Sequence, residues 1–565
     1  MQYSASQCSM RHNVSLCNTV HRKFRFWSHT MNAQPAPAVA APHPFTLRLA
    51  VGLVGVLIAA LTSGLNDRIS DLALADIRAA IGIGFDQGSW ITSAYQAAEV
   101  SAMMVAPWFA VTFSLRRFAL VMIGGFAAVG VLQPLTADPT LFIALRVVQG
   151  LFGGALPPLL MTVALRFLPP TIKLYGLAAY ALTATFGPNV AAPLAALWTD
   201  SLGWQFVFWQ AIPLCLIASL LIGWGLPQDP LRLERFRQID LFGMLTGCSG
   251  IALLILSLTQ GERLDWFNSP LISLMLPVSI ALLVTFLINE WFHPLPLLKL
   301  QLLRRINLSY SLLTLAGVLL LALSGSMLPS FYFSQVEGFR TVQFAPLALA
   351  VGLPQLVIAP LIAALLNLRW IDARWVLTIG AALIAVSCLL GMQLTDDWAR
   401  ENFWLIQGLQ AFGQPMMILP VLMTSTSVIL PPEGPFASAM FNTVRGFSAV
   451  AAGSLVENFI SYREQFHSHV LVDRLGNRPW LMTAESSEHA SGAMPLLPDG
   501  SVSSAENLGH FSTLVKHQAV ILSISDAYLL IIGCALLLVL LTAWLPKRVY
   551  PPQTLLPLVP KTSGS

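Results

Sequence analysis

Charged residues are scarce in this 565-residue sequence, at 10% of the chain, whereas soluble globular domains carry about 25%. So few charges cannot keep a chain of this length in water, which excludes an ordinary soluble enzyme or scaffold. Neither sign of charge dominates, since 31 Lys and Arg stand against 27 Asp and Glu. The sequence lacks the strong basic bias of a nucleic-acid-binding protein, and we expect no nucleic-acid partner.

Cysteines and catalytic motifs are also sparse. The six cysteines show no metal-ligand spacing and no disulfide framework, and four of them lie in apolar stretches. The sequence has no phosphate-binding loop and no Ser/His/Asp arrangement within the apolar runs. These gaps predict no catalytic residues, no metal site and no cofactor, although a membrane-embedded enzyme or sensor stays a distant alternative.

Long apolar runs are what the sequence does contain. Hydrophobic residues make up 56% of the chain, and the mean hydropathy is +0.70. Each run of about 20 apolar residues is long enough to cross a bilayer as a helix, so the sequence predicts an all-α polytopic membrane protein. We expect fourteen spans, at 47–65, 88–112, 117–136, 140–165, 172–197, 204–226, 241–260, 270–289, 308–333, 342–366, 375–394, 403–430, 436–460 and 522–545.

Basic residues in the short loops set the expected orientation. With the N-terminus inside, fifteen Lys and Arg lie in cytoplasmic loops or the C-terminal tail, and five lie in short outside loops. This bias favours an even number of spans with both termini in the cytoplasm. We expect a tail at 1–46, a six-helix bundle at 47–226, a linker with two extra spans at 227–307, a second six-helix bundle at 308–545 and a cytoplasmic tail at 546–565.

Two polar segments carry no expected function. Residues 1–30 lack the apolar core of a secretory signal, so we interpret Met31 as the true start and 1–30 as a mis-assigned start, with a disordered extension as the alternative. The long periplasmic loop at 461–521 is rich in Ser, Gly, Pro and His. Its His467-Ser-His469 pair is a weak metal signal, and a solvated loop is the favoured interpretation.

An internal repeat relates the two predicted bundles. The stretch VQGLFGGALPPLLMTVALRFLPP at 148–170 resembles IQGLQAFGQPMMILPVLMTSTSVILPP at 406–432, and these lie in spans four and twelve. Such duplication is typical of transporters whose binding site lies between the repeats, although chance similarity of apolar helices is the alternative. Arg146 has no charged counterpart, because the aligned position is Trp404.

Charged residues inside apolar spans are costly and are therefore candidates for function. Arg146 and Glu99 lie within spans four and two, and Asp67 and Arg68 close span one. We predict that these four residues serve proton coupling or transport. The alternatives are an arginine bound to backbone carbonyls, a satisfied contact between helices for Glu99, and a solvated interface for the Asp-Arg pair.

Further candidates surround these charges. Gln149 flanks Arg146, and Gly150 belongs to a small-xxx-small pair that allows close helix contact. In span thirteen Arg445 is expected to bind an anionic group or a carboxylate, and Asn442 shares its helix face. We assign these residues to the substrate cavity or to packing.

These motifs resemble the major facilitator superfamily, and within it the fourteen-span drug:proton antiporters of the EmrB and QacA type. RVVQG at 146–150 is similar to the family's fourth-span motif, whose arginine is assigned a role in proton transfer. GPNVAAPLAAL at 187–197 resembles the fifth-span antiporter motif through Gly187 and Pro188, which join the cavity or packing candidates. The resemblance implies the major facilitator fold, two six-helix bundles plus two extra central spans.

Two departures from the family pattern bear on mechanism. The family's first-span aspartate aligns with Asn66, so Glu99 becomes the stronger candidate proton carrier. The loop after span two reads PWFAVTFSLRR at 107–117 and has lost the aspartate and both glycines of the family's gating loop. Only Arg116 and Arg117 remain as gating candidates.

The resemblance also implies a function. We expect secondary active export of amphipathic organic compounds or drugs across a bacterial inner membrane, with the proton gradient as energy source. The expected partners are a small organic substrate, the lipid bilayer and, in a double-membraned bacterium, a periplasmic adaptor with an outer-membrane channel. A dedicated exporter of one endogenous metabolite or siderophore is the alternative.

Overall fold

The computed structural model describes residues 45–476 and 505–543, together with residues 549, 551 and 552. The expectations about the tail before residue 45, about Met31 and about most of the C-terminal tail lie outside the described residues. The first half contains α1 (Leu47–Leu72), α2 (Leu74–Ile81), α3 (Phe85–Phe113), α4 (Leu115–Leu132), α5 (Pro139–Gly154), α6 (Leu156–Phe167), α7 (Lys173–Leu197), α8 (Phe206–Trp209) and α9 (Ala211–Gly225).

The second half is helical in the same way. It contains α10 (Leu241–Gly261), α11 (Pro270–Phe292), α12 (Ile306–Gln335), α13 (Thr341–Leu366), α14 (Ala373–Gly391), α15 (Trp404–Ser427), α16 (Gly434–Gly476) and α17 (Ala505–Ala543). The described residues form no strand, which confirms the all-α expectation.

Eleven helical stretches of the described chain are long and apolar enough to cross a membrane. Three long helices fall short of that composition, namely α3, α7 and α16, and these hold the polar residues Glu99, Asn189 and Arg445. Polar side chains inside a membrane protein face its interior, so the three helices are the ones to examine for a site. The count of fourteen spans stays a prediction.

Several helix limits differ from the expected spans. The fourth span is two helices that meet at Ala155, because Pro157 and Pro158 in the first turn of α6 lack the N–H groups that would bond back into α5. Helix α1 continues to Leu72, so Asp67 lies inside the helix and not at its end. Helices α16 and α17 extend into the predicted loop at 461–521, whose residues 477–504 lie outside the described residues.

Two pairs of helices join the predicted bundles. Helix α7 packs along α13, and α3 packs along α16. Near the expected cytoplasmic side, Ser438 Oγ of α16 donates a 2.7 Å hydrogen bond to the Pro158 carbonyl of α6. On the expected outer side, Arg340 lies 3.4 Å from carboxylate oxygens of Asp76 and Asp200. Residues on α3, α7, α13 and α16 are therefore placed at the junction of the two halves.

The two extra helices lie at the side of this junction, where α10 packs against both α3 and α16. Helix α10 packs against α3, where Ser101 Oγ donates to the Cys248 carbonyl at 3.1 Å and Gln260 Nε2 donates to Ser93 Oγ at 2.7 Å. Helix α11 packs on α10 and exposes a row of large apolar side chains, including Leu274 and Phe292. This composition suits a helix that faces lipid.

Candidate functional site

Arg146 is completely buried at the centre of the first half. Its Nη1 donates a 2.9 Å hydrogen bond to Gln149 Oε1, and its Nε lies 3.5 Å from the Ile91 carbonyl. The guanidinium stands 4.1 Å above the centre of the Tyr95 ring. Its Nη2 has no hydrogen-bond partner in the described structure. The arginine is thus held by an amide, a carbonyl and an aromatic face, with one donor left over.

Gln149 connects this arginine to α1. Its Oε1 accepts the hydrogen bond from Arg146 and another, at 3.3 Å, from Asn66 Nδ2. The remaining atoms of both amides, Gln149 Nε2 and Asn66 Oδ1, are buried without partners. Asn66, which stands where the family pattern has an aspartate, therefore belongs to the same hydrogen-bond cluster as Arg146.

The crossing of α5 over α3 brings the Arg146 helix close to Glu99. A Cβ atom on Gly150 would lie 2.5 Å from the Tyr95 carbonyl oxygen, and one on Gly154 would meet the Glu99 carbonyl at 2.0 Å. Only residues without a side chain allow backbones to approach this closely. Gly150 therefore has a packing role. The close contact between α5 and α3 sets the position of Glu99 along α3 relative to Arg146 on α5.

Two carboxylates lie beside this cluster. The side chains of Asp67 and Glu99 are each only 9% exposed, and neither forms an ion pair within the described part of the chain. Oδ1 of Asp67 is buried without a hydrogen-bond partner in the described structure. Arg68 points elsewhere, since its Nη1 pairs with Asp71 at 3.4 Å near the surface. The structure gathers Arg146, Asp67 and Glu99 in one region and leaves Arg68 at its edge.

The α16 candidates contact α7 across the junction. Tyr180 of α7 donates a 2.7 Å hydrogen bond to Asn442 Oδ1, and Arg445 Nη1 donates at 2.9 Å to Thr183 Oγ1. The Arg445 guanidinium also lies 5.3 Å from the centre of the Tyr180 ring. These bonds cross from one half of the molecule to the other, so both residues help to hold the halves together in this conformation.

Gly187 and Pro188 lie in an unbroken α7 that runs from Lys173 to Leu197. Pro188 sits inside the helix, where it removes one backbone hydrogen bond. A Cβ atom on Gly187 would meet only the tip of Leu61, at 3.9 Å. No close packing in the described structure therefore requires glycine at position 187. The absence of a side chain there, next to Pro188, would allow α7 to bend at this point.

The loop between α3 and α4 consists of the single residue Ser114. Its φ of 77° and ψ of 130° are values that glycine adopts easily and other residues avoid. Arg116 is half-buried and Arg117 is exposed, and Gln228, with its amide turned toward Arg117, accepts from its Nη2 at 2.7 Å. The loop keeps a tight turn although the glycines of the family pattern are absent.

A cluster of buried amides, most of them in the second half, escaped the sequence analysis. Gln414 Oε1 accepts from Gln355 Nε2 at 2.9 Å and lies 3.5 Å from Asn189 Nδ2 across the junction. Gln414 Nε2 in turn donates to Gln410 Oε1 at 3.4 Å. Together with Gln407, these residues form an uncharged polar cluster, which we call the amide ladder. It spans α7, α13 and α15.

The amide ladder has unused hydrogen-bonding capacity. Asn189 Oδ1, Gln355 Oε1 and Gln407 Oε1 are buried without partners in the described structure. The signal for the ladder was present in the sequence, because Gln407, Gln410 and Gln414 recur at helical spacing on one face of α15. A search for charges alone does not find uncharged amides.

The helical fold, with polar clusters buried among membrane-spanning helices, is that of a polytopic membrane protein of the kind that transports small molecules. The model of the Major Facilitator Superfamily matches residues 56–453, which is more than half of the chain. The chain therefore belongs to the Major Facilitator Superfamily. The family resemblance expected from the sequence is confirmed.

Curated relatives of this chain include multidrug transporters. It is 27% identical to the probable multidrug resistance protein EmrY of Escherichia coli, over 71% of this chain and 78% of that one. It is 24% identical to the multidrug export protein EmrB of the same species, over 75% and 83%. The puromycin resistance protein pur8 of Streptomyces alboniger is 28% identical over 74% and 82%.

Solved structures share the fold. The human organic anion transporter MFSD10 matches with a TM-score of 0.50 at 16% identity, over 86% of this chain and 99% of that one. The proton:xylose symporter XylE matches with a TM-score of 0.50 at 12% identity, over 90% and 98%. At these identities the likeness supports the major facilitator fold alone.

Proposed function

We propose that this protein exports amphipathic organic compounds or drugs across a bacterial inner membrane in exchange for protons. One observation carries the proposal: Asp67 and Glu99 are buried beside Arg146 without an ion-pair partner in the described structure. A carboxylate at low dielectric takes up or releases a proton when its surroundings change. Multidrug relatives support the choice of substrate class.

The cluster also suggests how exchange is coupled. Arg146 binds the neutral Gln149 and leaves Nη2 free, so it can attract a carboxylate that has lost its proton. Protonation of Glu99 or Asp67 from outside removes that attraction and favours one arrangement of the two halves. Binding of substrate favours the other arrangement. Coupling requires that proton and substrate differ in their affinity for the two arrangements.

Inside-out vesicles provide the test. The vesicles are prepared from cells that express the protein, and their interior is acidified. Puromycin and ethidium are then added while the interior pH is recorded. The proposal expects substrate-dependent proton efflux with wild type and loss of it with Glu99→Gln and Arg146→Ala. Glu401→Gln, an exposed carboxylate paired with Arg400 at 3.6 Å, serves as the matched control and keeps the activity. Transport of a compound by wild type without proton flux would refute coupling.

A dedicated exporter of one endogenous compound is the second candidate. The amide ladder favours it, because fixed buried hydrogen-bonding groups select substrates more strictly than an apolar cavity does. A gene deletion that accumulates one compound without altering drug tolerance would decide for this candidate.

A periplasmic adaptor and an outer-membrane channel remain part of the proposal. Helix α16 has 43 residues and is therefore about 64 Å long, roughly twice the hydrocarbon thickness. Its outer part exposes Tyr462 and Phe466. If an adaptor binds there, Tyr462→Ser with Phe466→Ser abolishes drug tolerance in whole cells but leaves exchange in vesicles intact. Unchanged tolerance in whole cells would contradict the adaptor.

A further inference from the structure

A cavity of about 200 Å³ lies at the expected cytoplasmic face, and its lining shares no residue with the Arg146 site. Its walls come from four parts of the chain. The end of α3 contributes Trp108 and Val111, and the linker before α10 contributes Arg232 and Arg235. The segment between α11 and α12 contributes Leu295 and Leu297, and the start of α16 contributes Phe436. A ligand in this cavity would contact both halves of the molecule.

The cavity is positively charged. Arg232 and Arg235 line it together with no acidic side chain, and neither arginine forms an ion pair within the described residues. Burial, and then the charge of Arg232, lower the pKa of Arg235. The adjacent carboxylate of Glu433 does not compensate, because Lys299 and Arg305 hold it at 3.1 Å and 2.6 Å. An anion would relieve this excess of positive charge.

Trp108 forms part of the cavity wall. The residue is only 4% exposed, it lines the cavity, and its indole Nε1 has no hydrogen-bond partner in the described structure. The Arg235 guanidinium lies 5.3 Å from the ring centre, which places both groups at the same wall. The Nε1 atom itself is not accessible to a ligand, so Trp108 contributes its ring surface to the cavity.

The surroundings of the cavity suit the membrane surface. In the linker, the exposed apolar side chains of Leu231, Leu233 and Phe236 are interleaved with the charged residues Arg232, Glu234 and Arg235, of which two are basic. Basic residues interleaved with exposed apolar ones are typical of segments at the boundary between headgroups and acyl chains. The Phe236 ring lies 5.7 Å from that of Trp108, which connects this segment to the cavity wall.

We propose that this cavity binds a phosphate-bearing anionic headgroup. Arg232 and Arg235 donate to the phosphate oxygens, and Trp108, Val111 and Phe436 contact the apolar remainder. Guanidinium groups match phosphate geometry, and such charge-assisted hydrogen bonds are the strong ones. The source is either an anionic phospholipid of the bilayer or a soluble phosphate ester. The proposal does not depend on which compound the protein transports.

Lipid binding to the purified full-length protein tests the proposal. Native mass spectrometry and thermal unfolding are recorded in detergent with added phosphatidylglycerol, with phosphatidylcholine and with glycerol 3-phosphate. The double variant Arg232→Ala/Arg235→Ala should bind phosphatidylglycerol about tenfold more weakly, because two charge-assisted contacts are lost. Arg237→Ala, which removes an exposed arginine of the same segment outside the cavity lining, should bind like wild type.

A second pair of variants keeps the test independent of the arginines. Val111→Asp places a negative charge in the cavity and should also abolish binding, whereas the uncharged Val111→Asn should retain it. Thermal unfolding without lipid shows that each variant is folded. Competition by glycerol 3-phosphate supports the site with a soluble source, and binding of phosphatidylglycerol alone supports it with a lipid source. Equal binding by the double variant and wild type, or equal loss in Arg237→Ala, overturns the proposal.

Discussion

Arg146 donates its 2.9 Å hydrogen bond to Gln149, one turn further along the same helix, and not to either of the carboxylates nearby. The amide fixes the guanidinium without neutralising it. In the proposed exchange, Asp67 and Glu99 gain and lose protons while the arginine keeps its position. This arrangement is what we expect of a coupling site, because in a structural ion pair the carboxylate would be held permanently ionised.

Replacing this amide by a carboxylate should lock the site. Gln149→Glu places a negative charge within reach of Arg146, so we expect thermal stability to be kept while exchange in vesicles falls at least about tenfold. Gln407→Glu is the matched control. Gln407 is the counterpart of Gln149 in the internal repeat, but the counterpart of Arg146 is the uncharged Trp404. The unpaired carboxyl of this control should cost about 1–3 kcal/mol of stability. Wild-type exchange by Gln149→Glu would contradict this view of the site.

The repeat also supplies a matched pair of glycines. Gly150→Ala puts a methyl group 2.5 Å from the Tyr95 carbonyl, whereas nothing lies within 4 Å of the Cβ position on Gly408. Overpacking against backbone should destabilise Gly150→Ala by about 1–3 kcal/mol. Gly408→Ala should be neutral or stabilising by up to about 1 kcal/mol, because alanine favours helix. Unfolding of the two variants in detergent measures the difference, and equal midpoints would show that α5 and α3 do not pack this closely.

Ser114 predicts a stabilising substitution. Its backbone adopts φ 77°, and its buried hydroxyl has no partner in the described structure. Ser114→Gly removes both costs and should raise stability by about 1 kcal/mol. Ser249→Gly, at an exposed position within α10, should lower stability because glycine weakens a helix. A loss of stability in Ser114→Gly would show that the turn has another conformation.

Glu433 predicts a pH dependence at the expected cytoplasmic face. Partial burial acts to raise its pKa, but hydrogen bonds from Arg305 and Lys299 outweigh burial and hold the pKa below its usual value. A carboxylate with a depressed pKa stabilises the fold above its unfolded pKa and loses that contribution as pH falls through the folded pKa. Glu433→Gln should therefore unfold earlier than wild type at pH 7, and the gap should shrink as the pH falls below the ordinary pKa of glutamate toward the lower pKa of the folded state. A gap that does not change with pH would contradict the ion pairs.

The charged residues within the apolar runs could be singled out from the sequence. A guanidinium inside an apolar run is costly, so Arg146 and Glu99 stand out without any structure. The structure then places them on two helices whose crossing depends on Gly150, a position that the small-xxx-small pattern had indicated. The roles of Asp67 and Glu99 in proton coupling stay predictions.

The amide ladder and the ends of α16 and α17 were not predicted, for different physical reasons. Glutamine carries no formal charge, so its cost in a membrane depends on partners that only the fold brings together. A hydropathy profile shows where a chain leaves the hydrocarbon region of the bilayer. It does not show where the backbone hydrogen bonds of the helix end. Residues 461–476 therefore looked like loop although they continue α16.

Proton release on substrate binding tests the central claim most directly. Purified protein in weakly buffered detergent solution is mixed with puromycin, and a pH-indicator dye reports the protons released. Wild type should release protons as substrate binds, since substrate and proton favour different arrangements. The double variant Asp67→Asn/Glu99→Gln should bind puromycin without release. Release that persists in the double variant would contradict the assignment of Asp67 and Glu99, and binding to wild type without any release would contradict proton exchange itself.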